Sequence, residues 1–220
     1  MVRHHAIGSS RFDSYPEIFY AAQNEKFQEP VYRFGRKIEL LKRRDLQDCH
    51  ALYELMSDPS VMKFVRHKAA SAEEYLFSTK ALMEEEDQGT VISRTILSDF
   101  GQPIGTINLF DVQQNAGFLG TWIGTPFQGL GYNSKAKEQF LSELFFELEI
   151  EKVFMRIRKS NEKSLRAAAK LPYAVEANDL YSALYQEINR EQEVYDLYCI
   201  SKDMFMFYML QQQNQEEQAM

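Results

Sequence analysis

Thr121-Trp122-Ile123-Gly124-Thr125-Pro126-Phe127-Gln128-Gly129-Leu130-Gly131-Tyr132-Asn133-Ser134 joins an apolar, strand-like run to a long amphipathic segment through a turn built on Gly129 and Gly131. Five of the ten glycines in the chain fall between Gly117 and Gly131. Glycine there lets the backbone take positive φ and lets a ligand reach main-chain N–H groups. The first turn of a helix leaves such groups without intrahelical partners, and its dipole favours an anion. The stretch therefore reads as strand, turn and helix, and the turn is expected to hold a pyrophosphate.

Upstream, Val91–Leu97 and Ile104–Phe110 are strand-like, with Asp99–Pro103 as the turn between them. Gly117–Gly124 follows through the polar loop Asp111–Asn115, giving three consecutive antiparallel strands. Downstream, Ala136, Phe140, Leu141, Leu144, Phe145 and Leu148 line one side of the long helix. Val153–Ile157 reads as a strand, and Ser160–Leu171 as a helix that Pro172 stops. Nearer the N-terminus, Lys37–Leu41 is expected to be the first strand. Asp45 is placed to cap a helix carrying Leu46, Cys49, Leu52, Tyr53 and Met56, with Asp48 in the capping-box position. Asp58-Pro59 ends that helix and opens a short turn around Ser60–Phe64. Ser71 and Glu74 form a second capping box.

Ala174–Glu193 reads as an insertion in which Leu180, Leu184 and Ile188 have helical spacing, and Val194–Ile200 as the last strand. Gln211–Met220 is a polar tail expected to fray. This order predicts an α/β (α+β) fold: a mixed, mostly antiparallel twisted sheet with helices on both faces. The domain is expected to span residues 36–210, between an N-terminal arm (1–35) and the tail (211–220). The arm carries Phe12, Tyr15, Phe19, Tyr20, Phe27, Tyr32 and Phe34. It is expected to pack on the domain or on a second subunit, so a homodimer is one expectation.

Hydrophobic residues make up 45% of the chain and charged residues 26%, enough for an ordinary core. The net charge of −7 argues against nonspecific nucleic-acid binding and weakly favours a cationic partner. Cys49 and Cys199 are too far apart in sequence for a zinc motif or a disulfide framework, and a reducing, cytoplasmic setting fits them. No apolar run approaches the roughly 20 residues that span a bilayer, and no secretory signal opens the chain, so no membrane role is expected. His4-His5 lacks partner ligands, and no metal site is expected.

Gln128-Gly129-Leu130-Gly131-Tyr132-Asn133 resembles the acyl-coenzyme-A loop of the GNAT superfamily of N-acetyltransferases, Arg/Gln-x-x-Gly-x-Gly/Ala. Gln128 and Gly131 match; Asn133 stands where Gly or Ala is usual. Four further segments and the strand before the loop resemble the ribosomal-protein-alanine (Rim-type) branch. Asp58-Pro59-Ser60-Val61-Met62 is similar to Asp-Pro-Glu-Val-Met, and Pro103-Ile104-Gly105-Thr106-Ile107 to Leu-Ile-Gly-Thr-Ile. Thr121-Trp122-Ile123-Gly124 is similar to Tyr-Trp-Ile-Gly, Asn161-Glu162-Lys163-Ser164 to Asn-x-x-Ser, and Lys170-Leu171-Pro172-Tyr173 to Lys-Leu-Gly-Phe. The resemblance runs from about Lys37 to about Phe205.

The resemblance implies an N-acetyltransferase in which an amine attacks the thioester of acetyl-CoA directly, within a ternary complex. It implies acetyl-CoA contacts at Trp122, Ile123, Gln128, Gly129, Leu130, Gly131, Tyr132, Asn133, Asn161 and Ser164. A main-chain N–H on Thr121–Gly124 would polarise the thioester carbonyl. Trp122 either packs in the core or walls the acceptor pocket. Asn161 also suits a helix N-cap. Lys135, Lys137, Arg156 and Arg158 either touch coenzyme phosphates or stay solvated. The acceptor is a protein N-terminus or a small amine.

The proton-transfer groups depart from the pattern. Ala168 stands where many relatives carry a tyrosine acid, and Phe118 where many Rim-type relatives carry a glutamate base. The catalytic residues are thus unknown, with Asp111, Tyr173 and Tyr198 as replacements to test. The alternative is a noncatalytic acyl-CoA-binding or regulatory protein. A P-loop nucleotide site is disfavoured, because no Gly-x-x-x-x-Gly-Lys-Ser/Thr is present.

Overall fold

The computed structural model describes residues 40–66 and 68–219. Its chain order begins with β1 (Leu41–Arg43), α1 (Cys49–Met56), α2 (Pro59–Met62) and α3 (Ala72–Asp87). Three strands follow: β2 (Ile92–Leu97), β3 (Pro103–Gln113) and β4 (Ala116–Ile123). Then come α4 (Tyr132–Phe146), β5 (Lys152–Arg158), α5 (Glu162–Ala168), β6 (Val175–Glu176), α6 (Ser182–Ile188), β7 (Tyr195–Ser201) and α7 (Lys202–Ala219). The strands form one sheet in the order β1-β2-β3-β4-β5-β7-β6. Every pairing is antiparallel except β4 with β5. This is the mixed, mostly antiparallel sheet expected from the order of elements.

Strand alternation sorts side chains onto two faces. Ile107 and Leu109 of β3, Leu119 and Ile123 of β4, and Val153 and Met155 of β5 share one hydrophobic cluster with α4. Helix α4 has no Gly, Pro or β-branched residue in its interior, so little opposes helix formation. It buries Ala136, Phe140, Leu141, Leu144 and Phe145 completely, and each of the two fully buried phenylalanines contributes on the order of 2–3 kcal/mol. Phe205 of α7 closes the cluster against Phe145 and Tyr173, with ring centroids 5.5 and 5.1 Å apart. On the opposite face, Cys49, Leu52 and Met56 of α1 pack with Tyr75 of α3 and with Trp122. On that face too, α6 covers Phe154, Leu197 and Cys199.

A buried ion cluster ties three elements together. The Arg94 guanidinium of β2 donates to Glu143 of α4 (Nε to Oε1, 2.9 Å) and to Glu86 of α3 (2.6 Å).

Several local expectations shift. The first described strand is Leu41–Arg43, starting at the last residue of the expected Lys37–Leu41, whose first three residues lie outside the described ones. Asp45 caps a 3-10 turn over Leu46–Asp48, accepting from the Gln47 amide at 2.9 Å. Asp48 does not close a capping box; Lys42 holds it at 2.9 Å. Ser71 does cap α3, while Glu74 reaches past it to the Ala70 amide at 2.6 Å. Leu180 is exposed and precedes α6. The stretch read as a fraying tail continues α7 as far as Ala219; its Gln, Glu and Ala residues are good helix formers with no Gly or Pro to stop them. The arm, residues 1–35, lies outside the described residues.

Candidate active site

The parallel β4–β5 pairing lasts only three residues, Ala116–Phe118 against Lys152–Phe154. Beyond it β4 continues to Ile123 and stays with β3, while β5 continues to Arg158 and stays with β7. The two strands therefore part, leaving the β5-facing edge of Leu119–Ile123 without a strand partner. A cleft of about 400 Å³ opens there, lined on the α4 side by Asn133, Lys137, Asn161, Ser164 and Ala168. Arg44, Tyr75, Asn108, Phe118, Trp122 and Arg156 are among its walls on the other face of the sheet.

The turn at the mouth has the geometry its glycines foreshadow. Gly129 and Gly131 take φ of 79° and 85°, and a Cβ at either would meet no atom within 4 Å, so both stand open to a ligand. Gly131 is the N-cap of α4 and supplies no side-chain cap. The first N–H groups of a fifteen-residue helix are left for a ligand. Gln128 pins this turn: its Nε2 donates to the Ile123 carbonyl at 2.8 Å, and its Oε1 accepts from Lys163 at 2.6 Å. Asn161 caps α5, its Oδ1 accepting from the Ser164 amide at 3.2 Å. Asn133 Oδ1 lies 3.5 Å from Thr121 Oγ1.

Of the residues singled out in the sequence, Trp122, Asn133, Asn161 and Ser164 line the cleft, and Gln128 to Tyr132 form the turn at its mouth. Trp122 serves both suggested purposes, packing on the α1 cluster and walling the cleft. Ile123 is buried in the core and meets the site only through its carbonyl. Tyr132 packs edge-on to Phe127 with centroids 6.5 Å apart.

The three suggested proton-transfer groups do not line the cleft. Tyr173 is 1% exposed and wedged between Phe205 and Tyr208; burial, then the nearby Glu138 charge, pushes its phenol well above its ordinary value. Tyr198 sits on β7 opposite Met155, packed against the core cluster, its phenol likewise raised, chiefly by burial. Asp111 is engaged by Arg66 at 3.0 Å. Each is a hydroxyl or carboxylate near the motifs in sequence, and the fold turns each elsewhere. Phe118 and Ala168, the two departures, do line the cleft.

Two features were not anticipated. The splay of β4 from β5 has no local sequence mark, because it depends on register. The other is the burial of Lys137, expected either to touch coenzyme phosphates or to stay solvated. This residue is only 8% exposed, and burial alone lowers its ammonium from 10.5 to about 8. Its spacing to Phe140, Leu141 and Leu144 places it inside the apolar stripe of α4, a pattern visible in the sequence. Lys135, by contrast, is exposed.

The family model of the acetyltransferase (GNAT) domain matches residues 40–173. The chain belongs to this family, whose members use acetyl-CoA and an amine acceptor. No curated protein matches the chain. Among solved structures, a nucleotide-linked sugar GNAT, FdhC, superposes with TM-score 0.63 at 17% identity, covering 78% of this chain and 90% of its own. RimJ of Mycobacterium smegmatis, in complex with CoA-disulfide, gives 0.57 at 15% identity, covering 73% and 80%. A chimera of the Vibrio cholerae spermidine N-acetyltransferase SpeG with hSSAT gives 0.59 at 13%, covering 76% and 96%. At these identities the likeness is one of fold.

Proposed function

We propose that the protein is an N-acetyltransferase of the Rim-type branch, moving an acetyl group from acetyl-CoA to a primary amine by direct attack in a ternary complex. The observation that carries this reading is the parting of β4 from β5 immediately beside the uncapped, glycine-led start of α4. The pyrophosphate would rest on the N–H groups of Gly129–Asn133. The pantetheine arm would run along the open edge of β4, taking main-chain bonds from Leu119–Ile123 and polar contact from Asn161 and Ser164. A strand N–H near Thr121 would face the thioester oxygen as charge develops on it. The acceptor amine would enter past Trp122 and Phe118, and its position against the thioester supplies much of the rate.

The missing tyrosine acid at Ala168 is offset from the same side of the cleft. Lys137, near half-protonated at a pH of about 8, would give a proton to the leaving thiolate or balance its charge. Water takes the proton of the attacking amine, since Phe118 has no base to offer. A second reading rests on that same Phe118 and Ala168 pair: an acyl-CoA-binding protein without turnover.

Free-thiol release from acetyl-CoA, followed over a panel of small amines and peptides, separates the two. Turnover above the hydrolysis rate supports the enzyme. Tight CoA binding with no turnover on any acceptor supports the binder. In the active case, Lys137→Met lowers kcat by roughly a hundredfold while CoA affinity holds.

A further inference from the structure

The cleft is cationic in an acidic protein. The chain carries 32 acidic and 25 basic residues, yet Arg44, Arg66, Lys68, Arg156 and Arg158 line the half of the cleft away from α4, and among the described residues no Asp or Glu lines it. Arg44 is the sharpest case. It is 6% exposed, and its partners among the described residues are three neutral hydroxyls: Thr95 at 3.4 Å, Tyr75 at 3.2 Å and Thr79 at 3.2 Å. Its Nε has no hydrogen-bond partner among the described residues. Asp45, next in sequence, accepts from the Gln47 amide, and the buried Asp48 is held by Lys42.

The contrast with Arg94 is informative. That guanidinium is equally buried, on the other face of the sheet, and the fold gives it two carboxylates. Burying an unpaired charge costs several kcal/mol, so an uncompensated Arg44 beside a cleft implies a counter-ion that arrives from outside. Around it the shortage continues. Asp111 is one carboxylate for two guanidiniums: it bonds Arg66, and Arg156 lies over the Phe118 ring at 5.0 Å. Burial and the charge of Arg66 lower Arg156 below its ordinary value, as expected of like charges crowded together. These groups share the sheet face of Thr106, Asn108 and Phe118, opposite the face on which α4 begins. The coenzyme phosphates belong to the turn on the α4 side, so they are not this counter-ion.

We infer that the acceptor is a compact amine bearing a phosphate or carboxylate, held through that anion by Arg44 and Arg156 with Arg66 beside them. This rests on the acetyltransferase reading and reverses the expectation, drawn from net charge, of a cationic acceptor. The guanidinium fork suits both anions, and the interior position of Arg44 in a cleft of about 400 Å³ selects a small ligand over an extended one.

The test measures binding by calorimetry, with and without CoA, for phosphoethanolamine, β-alanine, ethanolamine and spermidine, and for glucosamine 6-phosphate against glucosamine. Thiol release with acetyl-CoA is read for the same compounds. In each set the amine that carries a phosphate or carboxylate is expected to bind and react roughly tenfold or more better than the partner that lacks one. Phosphoethanolamine against β-alanine tells which anion is preferred. Arg156→Gln and Arg44→Gln should each erase the preference and leave CoA affinity unchanged; Arg156, only half-buried, keeps the test open if the Arg44 variant fails to fold. The inference falls if ethanolamine or spermidine binds as well as the anionic amines, or if Arg156→Gln leaves the preference intact. Fastest turnover on spermidine overturns it while upholding the acetyltransferase reading; absence of CoA binding in the native protein strikes that reading instead.

Discussion

At the scale of single residues, Lys137 links stability to chemistry. Unfolded, its ammonium keeps its proton to about pH 10.5; folded, it loses the proton near pH 8. Between those values the unfolded chain binds more protons, so stability rises with pH across that window. Below it the fold bears the full cost of the buried charge, about 3 kcal/mol. Lys137→Met should therefore raise the midpoint of thermal unfolding at pH 7, and the gain should shrink towards nothing as the pH approaches 10.5. Unfolding curves of both proteins at several pH values check this; a gain that does not change with pH would place the effect in packing instead. Combined with a loss of turnover, the variant would show stability traded for function. The residue was legible in outline, since a lysine inside an apolar helical stripe is conspicuous. Arg44 was not: it follows a three-residue strand, and nothing in its neighbours' pattern says that the chain will fold it under α3.

At the scale of elements, the long helix and its leading turn were readable because two local rules agree there: the apolar period and the glycines that precede it. Gly131→Asp should weaken acetyl-CoA binding tenfold or more, about 1.4 kcal/mol, by setting a carboxylate where the pyrophosphate rests. Gly131→Asn tolerates the same φ of 85° without the charge and should lose far less. Calorimetry on the pair checks both; equal losses would point to backbone strain rather than charge. The Arg94 cluster tests the way elements are joined. Glu143→Ala leaves a guanidinium buried with half its partners and should destabilise the fold by about 3–5 kcal/mol, read from denaturant midpoints. The capping role of Asp48 and the course of the C-terminal stretch differ from the sequence reading for one reason. Short elements and chain ends are set by tertiary partners such as Lys42 for Asp48, and local propensity does not record those.

At the scale of the whole molecule, the order of strands and helices was enough to place a mixed sheet with helices on both faces. The cleft was beyond it. Its existence depends on β4 and β5 pairing for three residues and then parting, and its charge depends on loops and strands distant in sequence bringing five cations to one face. A chain with net charge −7 thus conceals a basic interior, which composition averages away. The proposed division of labour follows: the α4 side holds the coenzyme, and the opposite side reads the acceptor. Both depend on acetyl-CoA being the ligand of the turn. Calorimetric titration of the native protein with acetyl-CoA, CoA and ATP tests this most directly. The account predicts one saturable site for acetyl-CoA and CoA, with ATP unable to displace either; binding of ATP without binding of CoA would contradict it.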